Sequence, residues 1–235
     1  MTLVVRAGAG GPGHLFERGH TVRIGRGEGC DLRVGEDRVS GRWTVSSHHA
    51  DVTWDGERWT TRNVSGRSGL LRVYEPGWEE LVLEPGRTWA ATRHRWSYAF
   101  GRPRTPFPVV CSTDDHRGTT GGEPGDPDDA DDDATAMFPA VTGPVLTDLE
   151  RSVALAYYGA FVALPRPASL ATRSHAEAAV LLGRSTDSAR KAIERLNEKI
   201  ARRPDAPAAA RGRAVSDEIG RWLARSGVLD PVEMP

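Results

Sequence analysis

Arg26 stands directly after Gly25 at the end of an apolar run, and Ser46 and Ser47 stand in a polar stretch just before another. A guanidinium can fork onto two oxygens of a phosphate group where an ammonium is only a point charge, and hydroxyls supply further donors. Arg67 and Ser68, flanked by Gly66 and Gly69, are further donors of the same kind. Together these residues could clasp a dianion, provided that turns at one end of a rigid scaffold bring them together. Bond-making chemistry has no comparable signal. Gly8 to Gly13 lacks the Gly-Lys-Ser/Thr of a nucleotide loop, and neither Gly-x-Ser-x-Gly nor His-Glu-x-x-His occurs, so the chain is not expected to be an enzyme or to carry a cofactor. Cys30 and Cys111 are far apart and without His or Cys at ligand spacing, which argues against a disulfide framework or a zinc site and fits a reducing compartment. The acidic run after residue 122 lacks the Gly and terminal Glu of a calcium loop.

A second group of polar residues lies far downstream. Ala189, Ile193, Leu196 and Ile200 recur at helical spacing, so Ser188, Arg190, Lys191, Glu194 and Arg195 face the other way. Such a surface could meet a polyanion or a protein.

The elements that must position these groups follow from the pattern. From Leu3 to Phe100, short β-branched and aromatic runs are broken by Gly, Pro and Asp: Leu3 to Val5, His20 to Ile24, Asp31 to Val34, Asp51 to Trp54, Trp59 to Val64, Leu70 to Tyr74, Leu81 to Leu83 and Trp96 to Phe100. Many short strands of this kind predict an all-β sandwich over residues 1–104. Asp55-Gly56 signals a two-residue hairpin flanked by Trp54 and Trp59. From about Gly101 to Gly143 the chain turns to Pro, Gly, Thr and Asp, and residues 105–143 are read as an acidic, disordered linker that cannot bury enough surface to offset its entropy. Beyond it, residues 144–235 read as an all-α domain. Thr147-x-x-Glu150 is a capping box, His175 to Leu182 forms a helix closed by Gly183, a third helix runs from Ser185 or Thr186 to about Ile200, and Ala206 to Ser226 offers a fourth, interrupted by Gly212 and Gly220.

Charge follows the same three parts. Lys and Arg against Asp and Glu number 16 to 12 over residues 1–110, 1 to 9 over 111–143 and 14 to 11 over 144–235. Each end could meet an anion, and the middle repels one. No run approaches the length of a membrane span and the N-terminus lacks a signal-like apolar segment, so a cytoplasmic protein is expected.

Ile24-Gly25-Arg26, Cys30-Asp31-Leu32-Arg33-Val34 and Val45-Ser46-Ser47-His48-His49-Ala50-Asp51-Val52 resemble the motifs of the forkhead-associated (FHA) family over about residues 1–104. The resemblance implies phosphothreonine-peptide binding, with Arg26 and Ser46 holding the phosphate and His49, like Gly25, organising the loop. Two departures are visible. Val39-Ser40-Gly41-Arg42-Trp43 also looks like the start of the serine motif but has Trp43 where His belongs. The family's S-x-N-G-T loop aligns with Gly66-Arg67-Ser68-Gly69-Leu70, so Ser68 replaces an Asn that grips the peptide.

Ser174-His175-Ala176-Glu177-Ala178-Ala179, Leu182-Gly183-Arg184-Ser185 and the helix that follows resemble the helix-turn-helix domains of LuxR-type regulators and sigma factors, as does Leu146-Thr147-x-x-Glu150-Arg151. That resemblance implies DNA contact by Thr186, Ser188, Arg190, Lys191 and Arg195. The stretch from Phe161 to Arg173 is longer than those domains have there. The joint architecture, in an Arg-rich, Lys-poor and Ala-rich chain, resembles an actinobacterial one. Three readings stay open: a phospho-dependent DNA-binding regulator, a phosphopeptide adaptor whose tail binds protein, and a degenerate sandwich with phosphate-independent partners. Thr135, preceded by Asp131-Asp132-Asp133 and followed three residues later by Phe138, resembles a Ser/Thr-kinase site. Phosphorylated, it would be a ligand for Arg26 and Ser46 of the same chain or another copy; otherwise the run is a solubilising spacer.

Overall fold

The computed structural model describes residues 1–8, 11–35, 44–66, 69–102, 105–114, 143–167, 170–203, 206–207, 213–229 and 232–233. The chain divides into two compact units, one of residues 1–75, 79–139 and 235, the other of residues 76–78 and 140–234.

The first unit is a β-sandwich. One sheet has the order β2 (Gly13–Glu17), β1 (Thr2–Ala7), β11 (Thr105–Thr113), β10 (Arg95–Arg102), β7 (Leu71–Tyr74), β8 (Leu81–Leu83). The other runs β4 (Leu32–Arg33), β3 (Val22–Gly25), β5 (Ala50–Trp54), β6 (Trp59–Asn63), β9 (Thr88–Ala90), with only β3 and β4 parallel. Alternation along the strands turns Leu3, Val5, Leu71, Val73, Trp96, Tyr98, Phe100, Val109 and Cys111 inward, against Val22, Ile24, Val52, Trp59 and Trp89 of the facing sheet. The Tyr98 hydroxyl inside this core bonds to Thr61 Oγ1.

Strand β9, with buried Trp89 and Ala90, was not among the expected runs, and three further features differ from the sequence reading. Strand β11 occupies residues read as linker. Its Val109 and Cys111 alternate into the core, but Pro106 and Pro108 disguise the strand. Pairing with β1 stops at Ala7 and Val109, so among the described residues both prolines lie where β10 is the one strand paired with β11, and their missing N–H groups cost little. Strand β2 is exposed on nearly every residue and therefore shows no apolar alternation. In the β5–β6 hairpin, Asp55 N–H donates to Arg58 O at 3.0 Å, which puts Gly56 and Glu57, not Asp55 and Gly56, in the central positions. Asp55 Oδ1 takes the Glu57 and Arg58 amides, each at 2.8 Å.

The second unit is helical: α1 (Asp148–Tyr158), a single 3-10 turn Gly159–Phe161, α2 (His175–Leu182), α3 (Thr186–Ala201) and α4 (Arg213–Arg225). It is not purely α, because β12 (Ala163–Leu164) pairs in parallel with β13 (Val232–Glu233). Reciprocal capping boxes start α1 at Thr147 and Glu150 and α2 at Ser174 and Glu177. Gly183 ends α2 at φ 60°, its N–H turned to Ala179 and Val180 carbonyls, and a three-residue turn, 183–185, leads to α3. Val153, Tyr158, Phe161, Ala178, Ile193, Leu196, Ile200, Trp222 and Leu223 form the core. Helix α4 runs through Gly220 because a Cβ there would meet the Phe161 ring at 2.4 Å, so the glycine serves packing and does not break the helix. Among the described residues, no helix is long and apolar enough to cross a membrane.

Candidate functional site

At one end of the sandwich three loops meet: the turn after β3, the segment 44–49 before β5, and the connection from β6 to β7. Their meeting is built from main chain. Arg26 N–H donates to Ser46 O at 3.1 Å, Gly27 N–H to Ser47 O at 2.9 Å, and His49 N–H to Ile24 O at 2.9 Å. The Cys30 thiol donates to the same Ser47 carbonyl at 3.0 Å. So close an approach needs a bare α-carbon: a Cβ on Gly25 would lie 2.5 Å from Ser47 O, and one on Gly27 2.8 Å. Arg26 and Ser46 are thus neighbours across a backbone hydrogen bond, both half-buried, with Ser47 exposed beside them.

His49 is fully buried beneath this contact. Its Nδ1 accepts from the Ser46 amide at 3.2 Å, its ring meets the face of Phe100 edge-on at 5.1 Å, and its carbonyl takes the Val64 amide at 2.9 Å. Burial pushes the imidazole pKa down to about 4, with the Leu70 backbone opposing. The ring is therefore neutral at ordinary pH, as a side chain accepting at Nδ1 must be.

The third loop is held from below by residues that the sequence reading left unassigned. Asn63, fully buried, donates Nδ2 to Gly69 O at 2.8 Å and Leu83 O at 2.7 Å, while its Oδ1 accepts from Ser65 N at 3.0 Å. Ser65 Oγ adds a bond to Gly69 O at 2.6 Å, and Gly69 N–H closes onto Gly66 O at 2.9 Å. A Cβ on Gly69 would strike Ser65 Oγ and come 3.3 Å from the His49 ring. The only sequence signal for Asn63 was a polar residue at an inward position, since it pairs with buried Ala50 across the ladder. Arg67 and Ser68 lie outside the described residues, between these anchored flanks, as do Val39 to Trp43 and Thr135.

On the helical unit, Thr186, Ser188, Lys191 and Arg195 are exposed and Arg190 is half-buried, while Ala189, Ile193, Leu196 and Ile200 of the same helix are buried. Two of the cations are ion-paired within the helix. Arg190 reaches Asp187 at 2.8 Å and Glu194 at 2.7 Å, and Lys191 reaches Asp187 at 2.9 Å. Among the described residues no group of His, Cys, Asp and Glu could hold a metal, and both cysteines are free.

No protein-family model matches the chain, and no curated protein does. The solved structures similar to its N-terminal half include FHA domains. The Mycobacterium tuberculosis Rv1747 FHA-1 domain is 21% identical, with a TM-score of 0.34, over 47% of this chain and 94% of that one. The FHA domain of human APLF, in complex with an XRCC1 bisphospho peptide, is 15% identical with a TM-score of 0.36, over 48% of this chain and 99% of its own. Mycobacterium tuberculosis EmbR, in complex with a low affinity phosphopeptide, is 19% identical with a TM-score of 0.32, over 51% of this chain and 26% of its own.

Proposed function

We propose that the sandwich is an FHA-type reader of phosphothreonine peptides and that the helical unit acts as its output by binding DNA. The observation that carries the first half is the Arg26 to Ser46 backbone bond, which sets a guanidinium-bearing residue beside a hydroxyl-bearing one at the sandwich rim. A phosphate carrying roughly 1.5 to 2 negative charges at neutral pH would be met by Arg26, Ser46 and Ser47, with Arg67 and Ser68 closing from the third loop and Gly25 and His49 holding the frame. The phosphate comes from a Ser/Thr kinase, and the ligand is a partner protein or the chain's own linker at Thr135. Thr186, Ser188, Arg190, Lys191 and Arg195 are the residues offered to DNA. No cofactor or catalytic step enters this reading.

The test is a titration of the full chain with a phosphothreonine peptide library, beside unphosphorylated counterparts and the Arg26→Ala variant. The reading expects binding that needs the phosphate and that falls at least tenfold in the variant. Equal affinity for phosphorylated and plain peptides would convert the sandwich into a phosphate-independent adaptor, a role favoured by Ser68 standing in place of the family Asn. Pairing of Arg190 with Asp187 and Glu194 favours a second reading of the tail, in which α3 meets a protein surface. Salt separates the two, because DNA affinity falls steeply as ionic strength rises.

A further inference from the structure

Helix α3 and the turn before it carry five cations: Lys199 reaches Glu150 at 2.7 Å, and the other four differ in their partners. Asp187 spends both oxygens: Oδ1 on Arg190 Nη2 at 2.8 Å and Oδ2 on Lys191 Nζ at 2.9 Å. Glu194 takes the other terminal nitrogen of Arg190 at 2.7 Å. Arg190 is thereby held between two carboxylates, and its guanidinium fork has little left for a ligand. Arg184, in the turn, and Arg195, three turns along, are exposed and make no ion pair among the described residues.

These two arginines lie on a concavity of about 280 Å³ that Ser185, Asp187, Ser188 and Lys191 also line. Three cations there face a single carboxylate, and that carboxylate is already bonded on both oxygens. Ser185 Oγ accepts from the Ser188 amide at 3.3 Å, which fixes the turn, and both serines line the concavity. Arg184 was not among the residues that the sequence offered to DNA. Its backbone N–H bonds to Ala179 O at 3.0 Å, so the turn that ends α2 also sets the position of this arginine.

We propose that the concavity at the α2–α3 turn is the seat of a phosphodiester group of duplex DNA, held by Arg184, Lys191 and Arg195, and that Arg190 is a scaffold cation outside it. The inference rests on the DNA-binding reading of the tail and changes which residues perform it. Backbone phosphate contacts of this kind supply affinity and salt dependence and read no sequence.

The experiment measures binding of labelled duplex DNA by the full chain across a salt series, and in parallel follows the amide signals of residues 184–188 during titration with inorganic phosphate. The variant Arg184→Ala/Arg195→Ala is expected to bind at least tenfold more weakly at low salt, with the log–log salt slope reduced by about 0.9, the share of the one phosphate contact that is lost. Both changes are at solvent-facing side chains, and an unchanged circular-dichroism melt checks the fold. If the parent binds duplex and the double variant binds equally well, the seat is wrong while the DNA reading stands. If duplex does not bind but phosphate shifts residues 184–188, the DNA reading falls and an anion seat remains. Silence in both experiments, or equal binding of polyglutamate and duplex, overturns the seat itself.

Discussion

The two polar surfaces of this chain, the loop end of the sandwich and the outer face of α3, use the same side-chain chemistry on different foundations. In the loops, Arg26 and Ser46 come from segments twenty residues apart and are fixed by main-chain hydrogen bonds, by Gly25 and by the buried His49. On α3 the polar groups come from consecutive turns of one helix, and their arrangement is fixed by the helix alone, trimmed by salt bridges at the surface. A site built from distant segments is lost when its supports fail. A site built on one helix is tuned by its neighbours and survives their loss.

The sharpest way to break that contrast is Gly25→Val. Its Cβ would lie 2.5 Å from Ser47 O, so the loops must part, and a loss of about 1–3 kcal/mol in denaturant unfolding is expected from such overpacking. Phosphopeptide binding should go with it. If the variant binds and melts like the parent, the loops are not held as described.

Next comes acid. The folded His49 has its pKa lowered to about 4 against 6.5 for a free imidazole, chiefly by burial. The native state therefore binds fewer protons than the unfolded one between these values. Stability from this group is complete above pH 6.5 and falls as pH drops towards 4, by an order-of-magnitude amount of about 3 kcal/mol. At the other end of β7, Glu75 opposes this trend. It is fully buried and accepts from Thr92 N at 2.7 Å, Thr92 Oγ1 at 2.6 Å and Arg93 N at 3.1 Å, while burial raises its pKa to about 7. Its contribution is present below pH 4.5 and is lost as pH rises through 7. Glu75→Gln keeps one acceptor oxygen for the Thr92 and Arg93 amides, faces the Thr92 hydroxyl with a donor instead, and removes the charge, so unfolding measured from pH 5 to 8 should become flatter at the alkaline side and expose the His49 slope alone. A profile identical to the parent's would show that Glu75 does not titrate in this range.

The smallest effect is expected on α3. Asp187→Asn frees Arg190 and Lys191 from one partner without touching the core, so the thermal midpoint should stay unchanged while affinity for duplex DNA rises a few-fold at low salt. A large drop in the midpoint would mean that the α3 surface is as dependent on its supports as the loops are.

The same contrast explains what the sequence could tell. Helical elements were plain because their signals are local: Thr147 with Glu150, Gly183 after Leu182, and the stripe from Ala189 to Ile200 each lie within a few residues. Strands with one buried face, such as Leu3 to Val5, were equally plain. Strand β2 was hidden because neither face is buried, and β11 because its prolines mark an edge within what is elsewhere a central strand. The short spacing of Gly25 and Arg26, and of Ser46 and His49, suggested the loop residues, but their meeting depends on bonds between remote segments. The supporting roles of Asn63 and Ser65 had no motif to announce them, only a polar residue at an inward position for Asn63, because an amide is recruited there by the backbone groups around it.

The two prolines of β11 have one more effect. Beyond Ala7, the margin of β11 from Thr105 to Pro108 pairs, among the described residues, with no strand on the β1 side apart from the bond of Gly8 N–H to Pro108 O at 2.8 Å. A free ladder margin of this sort invites another polypeptide to add itself as an extra strand, but imino nitrogens have no hydrogen to offer a newcomer. The chain thus carries its own guard against fibrillar self-association at the point where its largest sheet is left incomplete.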